Sequence, residues 1–148
     1  MGRGACAGRQ RRARLSMRYM LDTNICIYLI KNHPPQVLAR LETLNQGDVV
    51  MSVLTYAELR AGLEIQTTNR AHDEHALSLL VGRIPVLPFM ESDAQRFGVF
   101  RAAVRDRSRN AMDRLIAAHA VNSGVTLVTN NEAEFKDYPG LIVENWAH

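Results

Sequence analysis

Short runs of almost wholly apolar residues alternate along this chain with longer segments in which apolar positions return every three or four residues. The runs are MRYML (17–21), DVVMS (48–52), IPVLPF (84–89), VTLVT (125–129) and LIVENW (141–146). They are too short for helices, and VTLVT is dense in β-branched residues, so each predicts a strand, the first two of them buried. Between them, NICIYLIKN (24–32), PPQVLARLETLNQG (34–47), SVLTYAELRAGLEIQ (52–66), RAHDEHALSLLVGRI (70–84), ESDAQRFGVFRAAVRDRS (91–108) and AMDRLIAAHAVNSG (111–124) carry helical spacing. Pro35 marks a helix start, with Val37, Leu38, Leu41 and Leu44 on one face and Gly47 at its end. Gly124 closes the last helix.

Strands that are apolar on both sides and alternate with helices predict an α/β fold, with a mostly parallel central sheet flanked by helices on both faces. A chain of 148 residues with 47% hydrophobic content supports one such domain, placed at residues 17–148. No apolar run approaches the roughly 20 residues that span a bilayer.

Charge changes the picture at one end only. The chain carries 18 Lys and Arg against 15 Asp and Glu, and five of the arginines lie in residues 1–16 with no acid among them, which leaves the rest at −2. That basic segment lacks the apolar stretch of a secretory signal. The expectation is a disordered extension, read from a start codon ahead of Met17. Cys6 and Cys26 allow no disulfide framework and no Cys-based zinc site, so a reducing cytoplasm is the expected location.

The candidate chemistry is carboxylate. In open α/β sheets the site lies beyond the carboxyl ends of the strands, and Asp22 stands directly after the first. DVVMS leads into the helix bearing Glu58, and VTLVT into Asn130, Asn131, Glu132 and Glu134. Asp113 precedes Ile116, Ala117 and Ala120 on an inward face. Singly, each acid is explained by helix capping: Asp22 before its helix, Thr55 with Glu58 and Asn110 with Asp113 at capping-box spacing. Capping gives no reason for several acids to converge. Two carboxylates about 4 Å apart repel by roughly 4 kcal/mol at an effective dielectric of 20, so convergence calls for a cation. All-oxygen donors favour Mg²⁺ or Mn²⁺ over Zn²⁺; such ions activate a water, hold it in line and stabilise a leaving oxygen, which suits phosphoester hydrolysis. His119 lies six residues beyond Asp113 on the other side of its helix, and the His72/His75 pair reads as a solvated face.

MLDTN, SVLTYAELRAGLE, MDRLIAAHAVNSGVTLVTNNEAEF and PGLIVENW, in that order, resemble the PIN-domain ribonucleases, and among them the VapC-type toxins of bacterial toxin-antitoxin modules. The resemblance covers nearly all of residues 17–148. It implies a PIN-like three-layer sandwich; catalytic positions at Asp22, Glu58, Asp113 and Asn131; a Mg²⁺ or Mn²⁺ site on Asp22, Glu58 and Asp113 with Glu134 as a neighbouring acid; cleavage of RNA, in the VapC group a structured RNA such as tRNA; a homodimer; and a cognate antitoxin whose tail enters the groove. Asn131 is neutral, which weakens a second metal site, and Ser108-Arg-Asn-Ala-Met replaces the family's usual Gly-Pro type of approach to the third acid.

Thr23, Asn24, Ser52 and Thr129 are placed to hydrogen-bond the carboxylates. An acidic pocket repels phosphate, so the arginines beside the third acid, Arg101, Arg105, Arg107, Arg109 and Arg114, are the candidate RNA contacts. Tyr56, Leu59, Leu63, Leu77, Leu79 and Leu80 are either core or a partner surface, and Trp146 is expected to anchor the C-terminus. Two further readings stay open: an RNA- or protein-binding module of this fold without catalysis, and a Mg-dependent phosphatase of the haloacid-dehalogenase type, disfavoured because Asn24 stands where that class needs a second Asp. No glycine-rich Lys-Ser/Thr loop for nucleotide phosphates is present.

Overall fold

The structure is a computed structural model that describes residues 17–65, 68–106 and 110–148; the expected N-terminal extension, Arg107 and Arg109 lie outside the described residues. The elements run β1 (Tyr19–Leu21), α1 (Thr23–Lys31), α2 (Pro35–Glu42), β2 (Val49–Ser52), α3 (Val53–Ile65), α4 (Arg70–Arg83), β3 (Val86–Leu87), α5 (Glu91–Ala103), α6 (Ala111–Ser123), β4 (Thr126–Val128), a 3₁₀ turn (Glu132–Glu134) and β5 (Val143–Glu144). Each predicted strand and helix is found. The helix over 34–47 is shorter than its pattern, ending at Glu42 with Thr43 as C-cap, ahead of Gly47.

All four strand pairings are parallel, in the order β3-β2-β1-β4-β5. Successive side chains of a strand point to opposite faces, and here both faces are covered. Tyr19, Leu21, Val49, Met51 and Val128 pack with α1 to α4. Met20, Val50 and Leu127 turn the other way, against Phe100 of α5 and Ile116, Ala117 and Ala120 of α6. Met20, Leu21, Met51, Leu127 and Val128 are fully buried, and burial of each such side chain is worth about 1.5–3 kcal/mol. Small residues on α6 let it lie close to the sheet. Its end is set by Gly124, whose φ of 71° suits a residue without a side chain.

The leucines divided between core and partner surface fall mainly in the core: Leu59, Leu63, Leu77 and Leu80 are buried, Tyr56 is half-buried, and only Leu79 is exposed. Trp146 is the expected anchor. It lies edge-on to Tyr19 with ring centroids 5.3 Å apart, and its indole N–H donates to Glu144 Oε1 at 2.9 Å. Among the described residues, no helix is long and apolar enough to cross a membrane.

Candidate metal centre at the switch point of the sheet

From β1 the chain moves to β2 and β3 on one side, then returns to β4 and β5 on the other. The switch point between β1 and β4 leaves a crevice at the carboxyl ends of these strands, the standard position for a site in such a sheet. Asp22 follows β1 at this point, and its N–H donates to the Val128 carbonyl at 3.0 Å.

Asp22 both caps and faces the crevice. Its Oδ1 accepts from the Ile25 N–H at 3.0 Å, which makes it the N-cap of α1 and places its charge at the positive end of that helix. Burial pushes its pKa up, against hydrogen bonds from the Thr129 hydroxyl and the Ile25 and Asn24 N–H groups that favour the carboxylate; the charge of Glu58 raises it further. Thr23 donates from Oγ1 to Glu58 Oε1 at 2.5 Å, joining α1 to α3 beside it.

Asp113 comes from the other side of the sheet on α6, in the first turn, where Asn110 caps the helix by accepting from the Met112 N–H at 2.8 Å. Its pKa is raised to about 6, first by burial, then by the charges of Asp22, Glu58 and Glu134. Four carboxylates from four segments therefore share one electrostatic neighbourhood. Among the described residues no group of three or more His, Cys, Asp or Glu side chains is placed to hold a metal ion as it stands, yet these acids feel one another's charge, and the pKa values of Asp22 and Asp113 are both raised. An all-oxygen donor set with excess negative charge suits a hard divalent cation, for which Asp22, Glu58, Asp113 and Glu134 are the candidate donors. Asn131 stands at the entry to the 3₁₀ turn, its N–H held by Thr129 Oγ1 at 3.0 Å.

The hydrogen-bonding residues divide. Thr23 and Thr129 hold carboxylates as expected, and Asn24 does so through its backbone N–H. Ser52 does not. Its hydroxyl accepts from the Leu54 N–H at 3.1 Å and meets His119 Nδ1 at 2.8 Å, so Ser52 rather than Thr55 caps α3. Thr55 is a buried residue of the first turn of α3, and its spacing to Glu58 does not make a capping box.

The arginines also separate. Arg105 is exposed, and Arg101 is half-buried in the last turn of α5. Arg114 is buried, with its guanidinium donating to the carbonyls of Val104 at 3.2 Å and Asp106 at 3.0 Å. It staples the segment ahead of α6 and is not available to RNA. The position beside the third acid that drew attention to it carries no signal for which arginine turns inward. His72 and His75 are exposed, with His72 3.4 Å from Asp73. A buried polar group formed by Ser52, Asp93 and His119 escaped the sequence reading; its one signal was a histidine set among the small residues of IAAHA.

A model of the PIN domain matches residues 19–141. The chain is 38% identical over 133 residues to the tRNA(fMet)-specific endonuclease VapC of Shigella flexneri, covering 88% of this chain and 99% of that protein. It is 35% identical over 133 residues to ribonuclease VapC2 of Rickettsia felis, covering 88% and 98%. Similar solved structures include VapBC2 from Rickettsia felis bound to a DNA fragment from their promoter, at 35% identity and a TM-score of 0.80 over 88% of this chain and 99% of that one. VapBC-1 from nontypeable Haemophilus influenzae is similar at 34% identity and a TM-score of 0.77 over 89% and 100%. PIN-domain ribonucleases are generally divalent-metal dependent, and acids gathered at the switch point of a parallel sheet suit that chemistry. The chain belongs to the PIN-domain family, in its VapC ribonuclease branch.

Proposed function

We propose that this protein is the toxin of a toxin-antitoxin pair, an endoribonuclease that hydrolyses RNA phosphodiester bonds using Mg²⁺ or Mn²⁺ held by Asp22, Glu58 and Asp113, with Glu134 and Asn131 completing the rim. The observation that carries it is the meeting of Asp22 after β1, Glu58 on α3 and Asp113 on α6 near enough to feel one another's charge, in a chain of the VapC branch. Such mutual repulsion has no structural benefit and is relieved by a cation. A bound divalent ion supplies the positive charge that steadies the carboxylates and the charge developing on the phosphoryl oxygens.

The chain's own residues supply placement. Thr129 and the start of α1 hold Asp22, and Thr23 holds Glu58, so the carboxylates keep their positions when phosphate arrives. A water attacks phosphorus, the bridging P–O bond breaks, and the leaving oxygen takes a proton. Arg101 and Arg105 are the backbone contacts that offset the acidity of the crevice. A structured RNA such as tRNA is the substrate class, supported by the name of the Shigella flexneri relative. A cognate antitoxin covering the crevice is supported by the VapBC assemblies among similar structures, and a homodimer belongs to the same reading.

The test is incubation of purified total RNA with antitoxin-free protein in Mg²⁺, Mn²⁺ or EDTA, wild type beside Asp22→Asn. Discrete fragments that require both metal and Asp22 are expected, and end-mapping then names the cut bond. Intact RNA with folded wild type would favour the non-catalytic binding module, in keeping with the neutral Asn131.

A further inference from the structure

Apart from the four acids, the structure buries a second polar group. Ser52, at the end of β2, and His119, on α6, are fully buried, and Asp93, in the first turn of α5, is nearly so. The order looks like a nucleophilic triad, but the serine is sealed from solvent, so no substrate reaches it.

The hydrogen bonds define a different task. Ser52 Oγ accepts from the Leu54 N–H at 3.1 Å and shares a hydrogen bond with His119 Nδ1, 2.8 Å away. Burial lowers the His119 pKa, while Asp93 and the Pro88 carbonyl act in the opposite sense. Nε2 lies 3.7 Å from Asp93 Oδ2, too far for a hydrogen bond, and the Phe89 ring stands edge-on at 5.2 Å. Asp93 is itself held by the Met90 N–H at 2.7 Å and the Asn122 side-chain amide at 2.7 Å. Asp93 is the only acid facing His119 in these contacts.

A buried polar group costs stability unless it is satisfied, and an apolar residue would fill the same space at less risk. What this one adds is a directional link. His119 is six residues, or about 9 Å of helix rise, beyond Asp113 on α6; Ser52 caps α3, which carries Glu58. We propose that His119 is a positioning residue of the metal centre, fixing through Ser52 the start of α3 against α6 so that Glu58 and Asp113 face a common cation. This rests on the metal-centre reading above.

The test compares wild type, His119→Leu, His119→Asn and Ser52→Ala in three measurements: thermal unfolding, Mn²⁺ affinity by calorimetry, and kcat and KM for RNA. Folded His119→Leu and Ser52→Ala are expected to bind Mn²⁺ about 10-fold more weakly and to lose kcat by a similar factor with KM nearly unchanged. His119→Asn, which keeps a polar atom near the Nδ1 position, restores most of both. If His119→Leu does not fold, the smaller Ser52→Ala change decides. Unaltered Mn²⁺ affinity in the folded variants overturns the proposal, whatever happens to their melting temperatures. Wild type that binds Mn²⁺ but leaves RNA intact defeats the nuclease reading alone, since the Mn²⁺ affinities still judge His119.

Discussion

Thr23 and Glu58, 35 residues apart in sequence, meet through a 2.5 Å hydrogen bond from hydroxyl to carboxylate. Thr23 opens α1 immediately after Asp22, so one residue step separates the N-capping acid from the group that aims its neighbour. The bond fixes which oxygen of Glu58 remains free for a cation. Thr23→Val keeps the shape and removes the donor. Metal-dependent cleavage should fall about 10-fold, while stability changes by about 1 kcal/mol or less; a variant as active as wild type in initial-rate assays would remove Thr23 from the site.

Asp22→Asn and Asp113→Asn should each abolish cleavage with the fold intact. For Asp113→Asn the structure makes a second claim, because the substitution removes a half-buried charge repelled by three others. In EDTA at pH 7.5 its melting temperature should rise by roughly 2–5 °C. A lower melting temperature would show that Asp113 is held by contacts rather than strained by charge.

The raised pKa of Asp113 also sets a pH dependence for the metal-free protein. An acid whose pKa goes from 3.8 unfolded to about 6 folded binds more protons in the native state between these values. Stability therefore falls as pH rises through that window and levels off above it. Buried Asp22, shifted in the same direction, adds to the trend. Urea unfolding in EDTA at a series of pH values should show this decline, and Mn²⁺ should reverse it most strongly above pH 6, where Asp113 has released its proton. A stability that climbs between pH 4 and 6.5 in EDTA would contradict the shared electrostatic neighbourhood.

Arginines near the third acid should separate by function. Arg114→Ala removes two hydrogen bonds from a buried guanidinium to the Val104 and Asp106 carbonyls, and should cost about 2–4 kcal/mol in denaturant unfolding. Arg101→Ala and Arg105→Ala should change stability by about 0.5 kcal/mol or less, yet weaken RNA binding and reduce its salt dependence. Equal RNA affinity for both variants at low salt would move the phosphate contacts elsewhere.

Much of this was legible in the chain. Apolar runs marked the strands because a parallel sheet covered on both faces leaves its central strands no solvent side, with only the edge strands β3 and β5 half-buried, and the position of Asp22 followed from the end of the first run. Asp113 stood out as an acid on an inward face. What could not be read locally were distinctions that depend on a partner far along the chain. Ser52 looked like a carboxylate holder but was claimed by His119, 67 residues away. Arg114 looked like its neighbours until the carbonyls of Val104 and Asp106 turned it inward.

Sequence by itself thus determined the elements and their parallel arrangement and pointed to the candidate acids, because periodicity and strand ends are local properties of the backbone. Only the tertiary structure decided which acids repel one another, which serine caps and which arginine is buried. Those outcomes depend on distances and desolvation across the switch point, and neither exists until β1 and β4 lie side by side with α3 and α6 packed against the sheet.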